Sequence, residues 1–131
     1  MTFSGGETIV VPAFSPVTNM IYLGNPTATL DGTYMNGLLA FHVRSSDCKV
    51  ELAWQHGLGS SGGIISAPVV ANGVVYYGDG RGHMLHAFDA TTGAELWSSG
   101  LVIRTGTSTE PIVVNGRVYV TTGSKIVAFG L

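Results

Sequence analysis

Ala87-Phe88-Asp89-Ala90-Thr91-Thr92-Gly93-Ala94-Glu95-Leu96-Trp97 is the stretch whose local chemistry decides the fold. The Asp89 carboxylate can accept hydrogen bonds from the amides that follow it, closing an Asx-type turn. Gly93 can take the left-handed backbone conformation that a bulged hairpin needs. The residues on either side, 84–88 and 95–98, then read as two antiparallel strands. Trp97 carries a large apolar surface out of the second strand toward a neighbouring element.

Upstream, residues 64–70 and 74–78 read as two more strands, rich in Val and Tyr. Asn72-Gly73 joins them and readily takes the positive φ angles of a tight hairpin. Residues 79–83 connect the second strand to the third. This four-strand unit recurs. Pro68, Gly73 and Tyr76 are each followed 43 residues later by Pro111, Gly116 and Tyr119, and Trp54 is followed at the same interval by Trp97. Leu39-Ala40-Phe41, His86-Ala87-Phe88 and Val127-Ala128-Phe129 are three copies of one element, and Pro12 to Tyr22 is a worn copy of another with two extra residues. A period in this range, with several strands per unit, marks a β-propeller. No stretch holds a 3.6-residue apolar period over ten residues, so no substantial helix is expected.

The stretch 87–97 resembles the tryptophan-docking motif A-x-D-x-x-T-G-x-E-x-W of the pyrroloquinoline quinone (PQQ)-type propeller repeat. Ala87, Asp89, Thr92, Gly93, Glu95 and Trp97 occupy its fixed positions, and Trp54 is the matching tryptophan of the preceding unit. The family includes quinoprotein alcohol dehydrogenases and the non-enzymatic assembly lipoprotein BamB. The resemblance implies an all-β, partial propeller of about three four-stranded antiparallel blades, in units of about 8–57, 64–99 and 108–131. In the first unit His42 stands where the motif has Asp, and the turn reads as longer, 43–51. The third unit stops before any Asp-x-x-Thr-Gly or Trp, so the last blade is expected to lack its outer strand.

Propellers typically have about 4–8 blades, more than 131 residues supply at this period. The chain therefore reads as the C-terminal part of a longer protein, its partners being the remaining blades or a second copy. An unpaired strand edge and bare blade faces favour self-association. The resemblance implies a periplasmic or extracellular setting, although residues 1–7 lack the basic and apolar regions of a signal peptide. No apolar run is long enough for a membrane span. A net charge of −2 gives no case for nucleic acid. Cys48, the single cysteine, excludes an intrachain disulfide and reads as an inert thiol.

The sequence declares no catalytic set and no metal site. His83 and His86 are three apart, a spacing that sends strand side chains to opposite faces, so zinc binding is not expected. His42 and His56 read as surface or inter-blade residues. Asp79-Gly80-Arg81-Gly82-His83 lacks the Gly-Lys-Ser/Thr of a phosphate loop, and Asp31-Gly32 lacks the further acidic ligands of a calcium loop. Strands alternate in direction, so the tight turns share one face, and the long two-to-three loops and inter-blade linkers share the other. Function is expected on that second face, near the channel. The candidates there are Asp79, Arg81, Arg104 and Glu110, the last two reading as a local ion pair. The expected function is a non-catalytic binding or assembly scaffold. The alternative is a segment of a PQQ- and Ca²⁺-dependent alcohol dehydrogenase, and only that alternative brings a cofactor.

Overall fold

The computed structural model describes residues 11–58, 66–103 and 109–130. Their strands are β1 (Ala13–Ser15), β2 (Met20–Asn25), β3 (Gly37–Arg44), β4 (Lys49–Gly57), β5 (Val69–Ala71), β6 (Val74–Asp79), β7 (Met84–Asp89), β8 (Glu95–Ser98), β9 (Ile112–Val114), β10 (Arg117–Thr122) and β11 (Lys125–Gly130). They form three antiparallel sheets in simple up-and-down order, two of four strands and a last one of three. The only helical turn among the described residues is a single 3-10 turn, Gly100–Val102. This is the all-β, blade-like architecture expected, with the third sheet one strand short.

Turn chemistry fixes each register. Ala71 pairs with Val74 across Asn72 and Gly73, whose φ angles are 51° and 77°. Val114 pairs with Arg117 across Asn115 and Gly116 at 50° and 69°. Two successive positive φ angles are the signature of the type I′ turn, which matches the twist of the strands it joins. In the first sheet Ser15 pairs with Met20, and two extra residues widen the same turn.

Two expectations need correction. The turn in the first unit is not 43–51. β3 runs on to Arg44 and β4 starts at Lys49, with Val43 opposite Val50. Arg44 holds this tip by ion pairs to Asp47 (2.9 Å) and Glu51 (2.7 Å). His42 therefore lies within a strand, opposite Glu51, and not at a turn. The first strand of the second unit is also shorter than 64–70: β5 begins at Val69, after the fully buried Pro68, and residues 64–65 lie outside the described residues.

The turns of a sheet sit together on one face, as expected. Ala90 N–H donates to the Gly73 carbonyl (2.9 Å), linking the two turns of the second sheet, and Val43 N–H donates to the Asn19 carbonyl (3.0 Å) in the first. Two cores join the sheets. Met20, Tyr22, Leu38 and Ala40 of the first sheet pack with Val75, Tyr77, Phe88 and Ala90 of the second. Tyr76, Leu85 and Ala87, on the second sheet's other face, pack with Ile103 and with Val118 and Val120 of the third. A sheet covered on both faces needs continuous apolar sequence, and so β6 reads Val-Val-Tyr-Tyr without polar alternation.

Candidate binding site on the linker face

Asp89, Thr92 and Glu95 bond within the second sheet, while Trp54 and Gly93 meet across the joint between the first and second sheets. Asp89 Oδ1 accepts from the amides of Thr91 (3.0 Å) and Thr92 (2.8 Å) and from the Thr92 hydroxyl (2.9 Å). These bonds favour the charged form and hold its carboxyl below the usual aspartate value. Gly93 has φ +72° and donates its N–H to the Asp89 carbonyl. Trp54 reaches across from the first sheet, and its Nε1–H donates to the Ala90 carbonyl (3.2 Å). Tyr22 donates to that same carbonyl (3.0 Å). Ala40 lies opposite Trp54 and Ala87 opposite Trp97, each beside a bulge. Trp97 meets Phe129 of the third sheet edge-on, ring centres 5.1 Å apart, yet stays 39% exposed.

Glu95 reaches back across the bulge, and its Oε1 lies 2.7 Å from His86 Nδ1. The His56 ring, from β4, packs 4.6 Å from Phe88 and 6.4 Å from His86. Burial pulls His56 below the ordinary histidine value; Glu95 opposes the fall and His86 adds to it. His83 sits before β7 with φ +56°, and its Nδ1, like His86 Nε2, is buried without a hydrogen-bond partner among the described residues. Among those residues, no three His, Cys, Asp or Glu side chains come together as metal ligands.

Of the linker-face candidates, Asp79, Arg81 and Glu110 fall among the described residues. Asp79 Oδ1 accepts from Arg81 N–H (3.0 Å) and Gly82 N–H (2.8 Å), so the carboxylate closes its own loop. Arg81 is exposed. Arg104, and with it the expected ion pair to Glu110, lies outside the described residues. Glu110 lines an open hollow of about 570 Å³ with Val69, Thr109, Pro111, Ile112, Val113 and Thr121. This hollow lies where β5 and β9 start side by side. It combines apolar walls, hydroxyls and a carboxylate.

Sequence reading missed one device on this face. Ser66 Oγ accepts from Gly78 N–H (2.7 Å) while Ser66 N–H donates to the Gly78 carbonyl (3.1 Å), extending the ladder past β5. In the third sheet the Thr109 and Thr121 hydroxyls bond to each other. Both pairs lie one repeat apart, so a hydroxyl two residues before Pro68 and Pro111 was the available signal.

Antiparallel sheets in up-and-down order, two of four strands and one of three, that pack face to face define a β-propeller segment. Residues 42–129 match the family model of the outer membrane protein assembly factor BamB, and the chain belongs to this PQQ-like repeat family. Solved structures agree on the fold. BamB from Moraxella catarrhalis is similar with a TM-score of 0.64 and 18% identity, over 95% of this chain and 33% of that one. A europium-containing methanol dehydrogenase gives 0.60 and 20% identity, over 86% and 21%. A quinohemoprotein alcohol dehydrogenase from Pseudomonas putida gives 0.52 and 16%, over 83% and 20%. The chain thus spans a third or less of these proteins. No curated protein matches it. No helix among the described residues is long and apolar enough to cross a membrane.

Proposed function

We propose that the chain contributes blades to a longer extracytoplasmic propeller that works by binding or assembly, without a catalytic centre in these residues. The observation that carries this reading is the match of residues 42–129 to the assembly-factor family. The use of the polar side chains supports it. Asp89 and Asp79 close turns, and Glu95 is held by His86. In this reading a partner docks on the linker face, around the Glu110 hollow. An assembly factor of outer membrane proteins works outside the cytoplasm, and that setting is carried over here.

The rival reading, a segment of a PQQ- and Ca²⁺-dependent alcohol dehydrogenase, draws on the motif at 87–97. PQQ supplies oxidising power toward an alcohol when it is bound. The carboxylates of Asp79 and Asp89 are committed to turns, so calcium and quinone ligands would come mostly from other blades. The test uses the full-length protein that contains these blades. Purified protein given PQQ and Ca²⁺ is expected to reduce no dye with alcohols, and deletion of its gene is expected to lower outer membrane protein content. Sustained alcohol-dependent turnover would overturn the scaffold reading.

A further inference from the structure

The joint between the first and second sheets holds two histidines. His56 lies opposite Leu38, on the face of the first sheet that packs against the second. Its ring centre rests 4.6 Å from that of the buried Phe88 and 6.4 Å from that of His86. His86 lies opposite Tyr77, a member of the same core, so it faces the first sheet from the other side. The other two copies of this element carry Leu39 and Val127 at the position of His86. The blade therefore packs without an ionisable group there.

His86 is 6% exposed, and its Nδ1 is the atom that Glu95 holds. Beside a charged carboxylate, the proton of neutral His86 sits on Nδ1 and leaves Nε2 as a bare lone pair. A second proton would put an N–H donor on this buried, unpartnered atom. His56 is half-buried, and burial already disfavours its charged form. Tyr77 from β6 and Tyr22 from β2 share the core, and burial pushes both phenols up, so they stay neutral. At the loop end of β6 and β7, His83 precedes the strand and Asp79 is tied into its own turn. Glu95 from β8 is thus the carboxylate that faces both imidazoles.

We propose that His56, His86 and Glu95 form a pH-sensitive latch on this joint, closed while both rings are neutral and loosened in weak acid, when two imidazolium charges share one carboxylate. A histidine whose folded value is depressed stabilises the fold above its unfolded value, 6.5. That contribution is lost as pH falls through 6.5 toward the folded value. The window lies where histidines sense pH, well above that of the turn aspartates. Trp54 spans the same joint to reach the Ala90 carbonyl, so loosening admits water to its indole. The inference rests on the packing of these two sheets and holds under either functional reading.

The urea midpoint of the wild-type chain is expected to fall by about 0.5 M or more between about pH 7.5 and about pH 5.5. Trp97→Phe leaves Trp54 as the only tryptophan. In that background, acrylamide quenching of Trp54 emission is expected to rise over the same interval, with an unchanged far-ultraviolet circular dichroism spectrum. His56→Gln keeps a polar side chain that takes no proton here and is expected to weaken both responses. The double variant His56→Gln/His86→Gln is expected to abolish them. His42→Gln, at an exposed position farther along β3, is expected to behave as wild type. A wild-type midpoint that does not change over this interval overturns the proposal. So does a loss that persists in the double variant, which would put the titrating group elsewhere. A loss with no change in Trp54 quenching also overturns it, since acid would then act outside this joint.

Discussion

The indole of Trp54 lies so close to Gly93 that a methyl group on that glycine would sit 2.5 Å from Trp54 Cδ2. One residue belongs to the first sheet and the other to a turn of the second. The contact locks the joint between them and sets two separate demands on position 93. Its φ of +72° disfavours any side chain, and the indole leaves no room for one. Gly93→Ala is expected to cost about 3 kcal/mol, combining left-handed strain with overpacking. Gly116→Ala, with φ +69° but open space around it, is expected to cost only about 1 kcal/mol. Urea unfolding of the two variants separates the terms, and equal losses would contradict the packing argument.

The Ala90 carbonyl is buried and receives both Tyr22 and Trp54. Tyr22→Phe or Trp54→Phe removes one donor and leaves the other. Tyr22→Phe is expected to lower stability by about 1 kcal/mol, and Trp54→Phe by about 2 kcal/mol or more because it also removes packed indole area. The double variant strips the carbonyl of both side-chain donors, and its loss should exceed the sum of the single losses by at least about 0.5 kcal/mol. Strict additivity in a double-mutant cycle would show that the two donors do not share the acceptor's energetics.

Tyr77 is fully buried in the first core, and its hydroxyl has no hydrogen-bond partner among the described residues. Burial pushes its pKa up, as expected for a phenol that cannot ionise there. Tyr77→Phe removes only the unpaired oxygen. It is expected to leave stability unchanged or raise it by about 1 kcal/mol, read as a higher thermal midpoint. A clear loss would reveal a partner for the hydroxyl.

Asp89 and Asp31 both hold depressed pKa values, Asp31 at about 2, because amides and hydroxyls donate to their charged forms. A carboxyl whose folded value is depressed stabilises the fold above its unfolded value, near 3.8. That contribution is lost as pH falls through the folded value. Stability is therefore expected to decline from about pH 4 toward pH 2. Asp89→Ala and Asp31→Ala should each flatten this decline in a series of unfolding curves. A slope unchanged by both substitutions would place the acid sensitivity elsewhere.

What the sequence determined by itself was local. Asn72-Gly73, Asn115-Gly116 and the Asp89–Gly93 turn dictate positive φ angles and hairpin registers through contacts a few residues apart, and their spacing revealed the blades. The short third sheet was legible for the same reason, since nothing after Phe129 repeats the turn. The first-unit tip was misread because Arg44 holds it by ion pairs, and those leave no turn signature. Tertiary structure decided the rest. Trp54 and Tyr22 find Ala90 36 and 68 residues away, and Glu95 binds His86 beside His56 of another sheet. Strand alternation defines two faces for every sheet, but only the packing of one sheet on the next decides which face meets which. Asp79 closes its own loop through amides two and three residues on, whereas the hollow that Glu110 lines forms only where β5 and β9 meet.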